Sequence, residues 1–202
     1  MPNFQKNDEV FESLRQLLNL ISVSDETISK ITSVLSPLHL TKGEKFCVKG
    51  KYSTEIGLLI SGMLIATYIK AEETEPVVSR FYYVPKNMVV SSFESFHTQT
   101  RTNETIEALE DSYLMTIKRK DLYALYDEIP EMNKIGRQIA EQSYIPALQR
   151  IHQLQTMTTE QRFKQFRIEH SEIISKLKVN HICSYMGVHR NSWARYSKIL
   201  KK

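Results

Sequence analysis

Residues 179–200, VNHICSYMGVHRNSWARYSKIL, contain the pattern that decides the fold of this chain. Apolar residues recur at helical spacing on both sides of Gly187, so the stretch predicts two short helices joined by a tight turn. Gly187 stands where the first helix must end, and glycine readily adopts the left-handed conformation that such a turn requires. In the second helix Arg190 and Arg195 lie on the side away from Trp193. One face would therefore pack on the domain while the other offers polar groups to base edges and phosphates.

An ordinary helical hairpin with a solvated basic face fits the same spacing. A resemblance to a known family favours recognition of DNA. The stretch resembles the helix-turn-helix of the Crp–Fnr transcription regulators, whose usual pattern is I-A-x-x-L-G-(I/V)-(S/T)-R/P-E-T-(L/V)-(S/G)-R. The matching positions are Ile182, Gly187, Val188, Arg190 and Arg195, and the departures are Cys183, Met186, His189, Asn191 and Trp193. The resemblance implies a homodimer that binds double-stranded DNA through two recognition helices about 34 Å apart.

The resemblance also predicts which side chains contact DNA. Arginine suits guanine edges or phosphates, and asparagine suits adenine, so bases would be read by Arg190, Arg195 and Asn191. Phosphate contacts that position the protein without specifying sequence would come from basic neighbours of the motif. The full predicted DNA-binding set is Arg190, Asn191, Ser192, Arg195, His189, Lys178 and Lys198.

The charge distribution agrees with a DNA-binding tail on a regulatory body. From Thr156 onward there are ten lysines and arginines against three acidic residues, whereas the preceding part holds seventeen against twenty. Neither a signal peptide nor an apolar run of membrane-spanning length is present, and the two cysteines favour a reducing cytoplasm. Motifs of hydrolases, metalloproteases and phosphate-binding loops are missing, so we expect no enzyme. Two distant cysteines are too few for an iron–sulfur cluster, and we predict no cofactor and no metal.

Residues 38–117 change to short β-type runs separated by turn residues. At least seven strands are expected, with Ser61-Gly62 as a two-residue hairpin, which together suggest an antiparallel roll or barrel. The stretch resembles the cyclic-nucleotide-binding β-roll of Crp–Fnr regulators, with Gly43, Glu44, Gly50 and Gly62 on its frame.

The effector pocket that the resemblance implies looks degenerate. Cyclic AMP-binding relatives flank the phosphate with Gly-Glu and Arg-Ser pairs, and this chain has Ser91-Ser92 and Thr102-Asn103 at those positions. Arg101 stands one residue early, which on a strand would direct its side chain to the other face, whereas a loop could absorb the shift. Ser91, Ser92, Arg101, Thr102 and Asn103 are the pocket candidates, and we expect no tight binding of cyclic AMP.

The remaining segments predict helices. Residues 10–35 are amphipathic with a helix start at Ser24-Asp25, and residues 118–157 predict a short helix followed by a long one beginning near Pro130. Apolar residues of the long helix would pair with a twin across a two-fold axis or cover their own domain, and Pro146 should kink or break it. Thr158 is expected to cap the next helix.

Together these patterns predict an α+β protein of three units. Residues 1–128 would form a β-roll like a cyclic-nucleotide-binding domain with flanking helices, 129–155 a connecting dimerisation helix, and 156–202 a winged-helix-type helix-turn-helix. The predicted function is a homodimeric transcription regulator of the Crp–Fnr type, acting in the cytoplasm with RNA polymerase and an unidentified small-molecule effector as further partners. The alternative is a module that binds a small molecule or a protein, with a tail that no longer reads DNA.

Overall fold

The structure, a computed structural model, describes residues 24–69, 75–86 and 88–200. Helix α1 (Asp25–Val34) leads into strands β1 (Ser36–Leu40), β2 (Lys45–Cys47), β3 (Glu55–Ser61), β4 (Met63–Ile69), β5 (Pro76–Tyr83) and β6 (Val89–Val90). Helix α2 (Phe93–Thr98) separates β6 from β7 (Glu104–Ala108) and β8 (Ser112–Lys118). Helices α3 (Arg119–Glu128), α4 (Pro130–Thr156), α5 (Thr159–Glu169), α6 (Val179–Met186) and α7 (Trp193–Leu200) follow.

The eight strands form two four-stranded antiparallel sheets that face one another. The strand order is β1-β8-β3-β6 in the first sheet and β2-β7-β4-β5 in the second. Residues that point between the sheets form one apolar core, in which Leu59, Leu64, Tyr82, Ile106 and Leu114 are almost fully buried. This is the predicted antiparallel roll, and sheet pairing places each predicted β-type run in a strand.

The outer face of each sheet carries a second apolar core. Leu58 and Ile117 of the first sheet pack against α1, α3 and the beginning of α4. Ile65, Phe81 and Tyr83 of the second sheet pack against the three C-terminal helices. The roll is therefore the middle layer of the molecule, with helices on both of its outer faces.

Local signals in the sequence define several element ends. The Ser24 side chain accepts a hydrogen bond from the backbone N–H of Thr27, so α1 begins at the predicted residue. Thr158 and Gln161 form a reciprocal capping box at the start of α5, which confirms Thr158 as the predicted cap. The part of the predicted helical region 10–35 that precedes Ser24 lies outside the described residues.

Three local predictions need correction. Ser61-Gly62 is no hairpin: β3 and β4 belong to different sheets, and Gly62, at a φ of +98°, forms the corner between them. The last unit was predicted to be of winged-helix type, but its described residues, 156–200, contain helices and 3₁₀ turns and no strand that could form a wing. Of the kink or break expected at Pro146, the break is wrong, because α4 continues from Pro130 to Thr156.

Helix α4 divides into two halves with different surroundings. Met132 and Ile135 are buried against the roll, as expected of a helix that covers its own domain. The second half carries large apolar side chains that are 46–63% exposed, namely Tyr144, Ile145, Leu148, Ile151 and Leu154. The first half therefore covers its own domain, and the second half has the exposed apolar side chains expected of a helix that pairs with a twin.

Candidate nucleic-acid interface

The turn between α6 and the following helix is closed by two backbone hydrogen bonds. Val188 N–H donates to the carbonyl of Cys183 and Gly187 N–H to that of Ser184, each at 3.0 Å. Gly187 lies in the left-handed region at a φ of +69°, as its place in the sequence predicts. This is the usual glycine-terminated end of a helix, and it sets the direction in which the next helix leaves.

The recognition helix consists of the 3₁₀ turn Arg190–Ser192 and helix α7. It begins at His189, whose Nδ1 accepts a hydrogen bond from the backbone N–H of Asn191 at 3.2 Å. His189 thus caps the helix in place of the Ser or Thr that the Crp–Fnr pattern has at this position. Because its Nδ1 faces the helix, only the other ring nitrogen of His189 is left for a phosphate.

The recognition helix has one packed face and one solvent face. Tyr196 stacks on Phe163 of α5 with ring centroids 5.1 Å apart, and Trp193 lies 6.4 Å from the same ring. Of the seven predicted DNA-binding residues, Ser192 is half-buried and the other six are exposed, namely Lys178, His189, Arg190, Asn191, Arg195 and Lys198. The packing that was expected for Trp193 thus leaves the basic side of the helix open to a ligand.

Two arginines of α5 hold the helix-turn-helix in shape. Arg162 donates to the carbonyl oxygens of Met157 and Met186 at 2.8 and 3.3 Å, which ties the start of α5 to the end of α6. Arg167 donates to the carbonyl of Ile199 at 3.0 Å, near the end of the recognition helix. Sequence reasoning missed both residues, because a buttressing arginine and a solvated one look the same in a helical pattern.

Cys183 and His181 lie in α6, and burial shifts the pKa of each. Burial raises the pKa of the Cys183 thiol, which keeps it protonated and apolar, as expected for a residue at a buried position of the motif. Burial, together with the nearby Lys178, lowers the pKa of His181. Both groups are thus held in their neutral forms within the module.

The C-terminal module, residues 158–200, is packed onto the outer face of β5. The rings of Phe166 and Tyr185 lie 6.2 and 5.2 Å from that of Phe81. Ser184 Oγ receives the backbone N–H of Val78 at 2.8 Å and donates to the carbonyl of Pro76 at 3.2 Å. The recognition helix is therefore positioned by the roll as well as by its own module.

His170 lies at the centre of this contact. Its Nδ1 is 3.0 Å from the hydroxyl of Tyr83, and aromatic rings surround it on the other sides. Burial lowers the pKa of His170 to about 4, so the imidazole is neutral around pH 7. A neutral ring is required here because the surrounding core offers little solvation to a charge.

Helix α4 also holds the C-terminal module. The guanidinium of Arg150 lies 4.1 Å from the ring centroid of Tyr185 and donates to the Tyr185 carbonyl. Gln153 donates to the carboxylate of Glu169 at 2.9 Å. Tyr185 thus contacts the roll, the long helix and the module, and its place at a variable position of the motif gave no sign of this.

The five predicted effector-pocket residues do not come together. Ser91, Ser92 and Thr102 are buried, and the Ser92 and Thr102 hydroxyls are 2.7 Å apart. Asn103 is exposed, and so is Arg101, which donates to the Gly50 carbonyl at 2.7 Å. Only the three hydroxyl residues face the interior of the roll.

A tyrosine and an ion pair that sequence reasoning missed lie near these hydroxyls. Tyr82, 1% exposed, extends into the roll and donates its hydroxyl to the Ser91 carbonyl at 3.3 Å. Arg80 lies over the Tyr82 ring and 3.8 Å from the buried carboxylate of Glu104. The Ser91 hydroxyl and one Glu104 oxygen have no hydrogen-bond partner. The cation next to the pocket thus comes from β5 and faces a carboxylate of the same chain.

Comparison of the whole fold with solved structures yields many matches. FixK2 from Bradyrhizobium japonicum aligns with a TM-score of 0.69 at 14% identity, over 83% of this chain and 85% of that one. The c-di-GMP responsive regulator CLP of Xanthomonas campestris gives 0.69 at 13% identity, over 88% and 92%. A putative Crp/Fnr regulator from Eubacterium rectale gives 0.66 at 19% identity, over 89% and 84%. The chain has the Crp/Fnr fold.

That fold agrees with the predicted α+β protein built on a β-roll like a cyclic-nucleotide-binding domain. No protein-family model matches the sequence, and no curated protein does either. The Crp/Fnr fold therefore rests on structural likeness at low sequence identity. Among the helices that the structure describes, none is both long and apolar enough to cross a membrane.

Proposed function

We propose that this chain is a homodimeric, sequence-specific DNA-binding transcription regulator that acts in the cytoplasm on a pseudo-palindromic site. The observation that carries the proposal is the two-sided recognition helix. Tyr196 and Trp193 fix one side to α5. Arg195 and Lys198 are exposed, and the Arg195 guanidinium lies 5.5 Å from the centroid of the Tyr196 ring. A surface helix with a rigid apolar base and an exposed basic edge matches the shape and charge of the DNA major groove.

The exposed half of α4 supports the homodimer. Tyr144, Leu148 and Ile151 recur at a four-residue and then a three-residue step, and all are about half-exposed. Ile145 and Leu154 flank this stripe on either side. Side chains of this kind at this spacing form the seam between two packed helices. A second copy of α4 on this stripe would place two recognition helices on one face of DNA, as a pseudo-palindromic site requires.

The residues of the recognition helix would divide the work between bases and phosphates. Arg190 and Arg195 suit guanine edges, and Asn191 suits the two polar atoms of adenine in the major groove. Lys178, Lys198 and the outer nitrogen of His189 suit phosphates, and Ser192, half-buried, suits a contact close to the helix axis. RNA polymerase is the partner that such a regulator would contact next.

The interior of the roll is a poor site for a cyclic nucleotide. Tyr82 occupies part of that interior, and Thr102 holds the place at which relatives carry the phosphate-binding arginine. Charge-assisted hydrogen bonds of the kind thus lost contribute about 1.5–3 kcal/mol each. Glu104 adds a buried negative charge next to the place where a phosphate would lie.

The test is a selection from randomised duplex DNA with the purified chain at near-physiological salt. We expect an inverted repeat with half-sites one helical turn apart. Arg195→Ala should lower the binding free energy for the selected site by about 1–3 kcal/mol and relax specificity at one base position. Lys198→Ala should weaken binding to all sequences alike and reduce the slope of log affinity against log salt concentration by about one. Arg137→Ala, which removes an exposed arginine of α4, is the matched control and should change neither.

Salt dependence separates this proposal from the alternative of an interaction module. For a DNA-binding protein the logarithm of the affinity falls steeply with the logarithm of the salt concentration, and a sequence-dependent part remains. If no sequence is enriched and the affinity for DNA has no such slope, the tail does not read DNA. The chain would then act through its roll as a module that binds a small molecule or a protein.

A further inference from the structure

A cavity of about 170 Å³ lies on the outer side of the first sheet. Its floor is formed by β3 and β8, and its roof by α3 and the first three turns of α4. It is separate from the interior of the roll, which lies on the other face of the same sheet. The walls include Ile31, Leu58, Met115, Leu122 and Ile135.

The lining is almost entirely apolar. Among the lining residues that the structure describes, only His97 and Tyr126 have side chains with nitrogen or oxygen atoms. The Nδ1 of His97 is 3.4 Å from the hydroxyl of Tyr123, and the hydroxyl of Tyr126 lies against Gly136, where an added Cβ would be 2.6 Å from it. The cavity opens to solvent beside His97 and Ala140, which are exposed, and its remaining walls offer few polar partners. Burial of apolar surface therefore favours an apolar occupant.

Polar contacts at the rim keep the walls in place. Thr27 of α1 donates to the carboxylate of Glu131 in α4 at 2.8 Å. Asn133 donates to the carbonyl of Tyr126 at 3.1 Å, which closes the corner between α3 and α4. The cavity is thus formed by elements that are tied to one another, and it does not depend on a ligand to hold it open.

We propose that this cavity is a binding site for a small apolar molecule with about the volume of one aromatic ring. Cavities of about 150 Å³ lined by leucine, isoleucine and phenylalanine stay dry and bind benzene or xenon. This cavity has a similar volume and a similar lining, and its roof is the helix whose second half carries the exposed apolar stripe. An apolar molecule bound here would lie between the roll and α4. Its binding does not rest on the proposed function, whereas any effect on DNA does.

The test uses the full chain with xenon and benzene as probes. We expect one xenon atom between β3, β8 and α4 in crystals under xenon pressure. Benzene at ten times its dissociation constant should raise the melting temperature by about 3–6 °C. Ile135→Phe and Leu122→Phe each enlarge a wall side chain, and each should reduce the benzene shift at least fivefold.

Ile168→Phe is the matched control, because Ile168 is an exposed residue of α5 far from the lining. It should keep the full benzene shift. Two variants on different helices keep the test valid if one of them fails to fold, and the xenon position needs no variant. Absence of xenon from the cavity, or a benzene shift that is equal in Ile135→Phe and Ile168→Phe, overturns the proposal. Neither readout involves DNA, so failure of the proposed function would leave it intact.

Discussion

Leu148→Glu tests whether the exposed half of α4 is the dimer interface. Leu148 is 46% exposed, so about half of its side chain would be removed from water by a second copy. Full burial of a leucine stabilises by about 1.5–3 kcal/mol, so half of that is about 0.7–1.5 kcal/mol. A two-fold interface contains each residue twice, which brings the loss to about 1.5–3 kcal/mol per dimer. Each 1.4 kcal/mol is a factor of ten, and two carboxylates placed at an apolar seam add to the loss. We expect the dissociation constant of the dimer to rise at least 100-fold.

Sedimentation equilibrium over a range of chain concentrations measures that constant directly. Ile168→Glu is the matched control, because it adds the same charge at an exposed isoleucine of α5, outside the stripe. The control should dimerise as the unaltered chain does, and both variants should keep a cooperative thermal transition. If Leu148→Glu and Ile168→Glu dimerise equally well, the stripe on α4 is not the interface and the symmetry argued for the DNA complex is wrong.

Three further predictions concern the stability of the C-terminal module. Gly187→Ala should lower the free energy of unfolding by about 1–2 kcal/mol, and Gly187→Asn should lower it by less, as measured by chemical denaturation. No atom obstructs a Cβ at this position, so only the left-handed backbone is penalised. Thr158→Ala removes the capping box of α5 and should cost about 0.5–2 kcal/mol, seen as a lower melting temperature, and Thr158→Ser should restore most of it. The pKa of His170 is lowered to about 4 in the folded chain, so between roughly pH 4 and 6.5 the unfolded chain binds a proton that the folded chain does not. The free energy of unfolding is therefore highest above this window and decreases by about 3 kcal/mol as the pH falls through it. Melting curves from pH 4 to 7 should show a shallower slope for His170→Gln, and an unchanged one for His152→Gln on the exposed side of α4.

Local chemistry explains which elements could be predicted from the sequence. The ends of α1 and α5 follow from Ser24 and Thr158, because a capping hydrogen bond involves residues only three positions apart. The turn at Gly187 follows from the conformational freedom of a single residue. Short apolar runs between turn residues predicted at least seven strands, and in β3 and β4 these runs are continuous because helices cover the outer faces of the sheets. Such signals are complete within a few residues, so no knowledge of the rest of the fold is needed.

Predictions failed where the outcome depends on distant partners. The glycine of Ser61-Gly62 makes a turn as predicted, but the turn joins two sheets, and strand pairing decides that difference. Pro146 was expected to kink or break α4, and the helix is not broken there, in the half that is most exposed. Arg150 and Arg162 look like ordinary surface cations in the sequence. Their roles arise because Tyr185 and the end of α6 lie against them in three dimensions.

Strand β5 is the element through which the interior of the roll and the recognition helix would influence one another. Tyr82 faces the interior and contacts the Ser91 segment, while Phe81 and Tyr83, the residues on either side of it, face the C-terminal module. Because neighbouring residues of a strand point to opposite faces, a shift of β5 changes both surfaces at once. The close packing of the core around Phe81 leaves little freedom to absorb such a shift. The orientation of α7 can therefore depend on the interior of the roll through one strand, without a ligand that bridges the two parts.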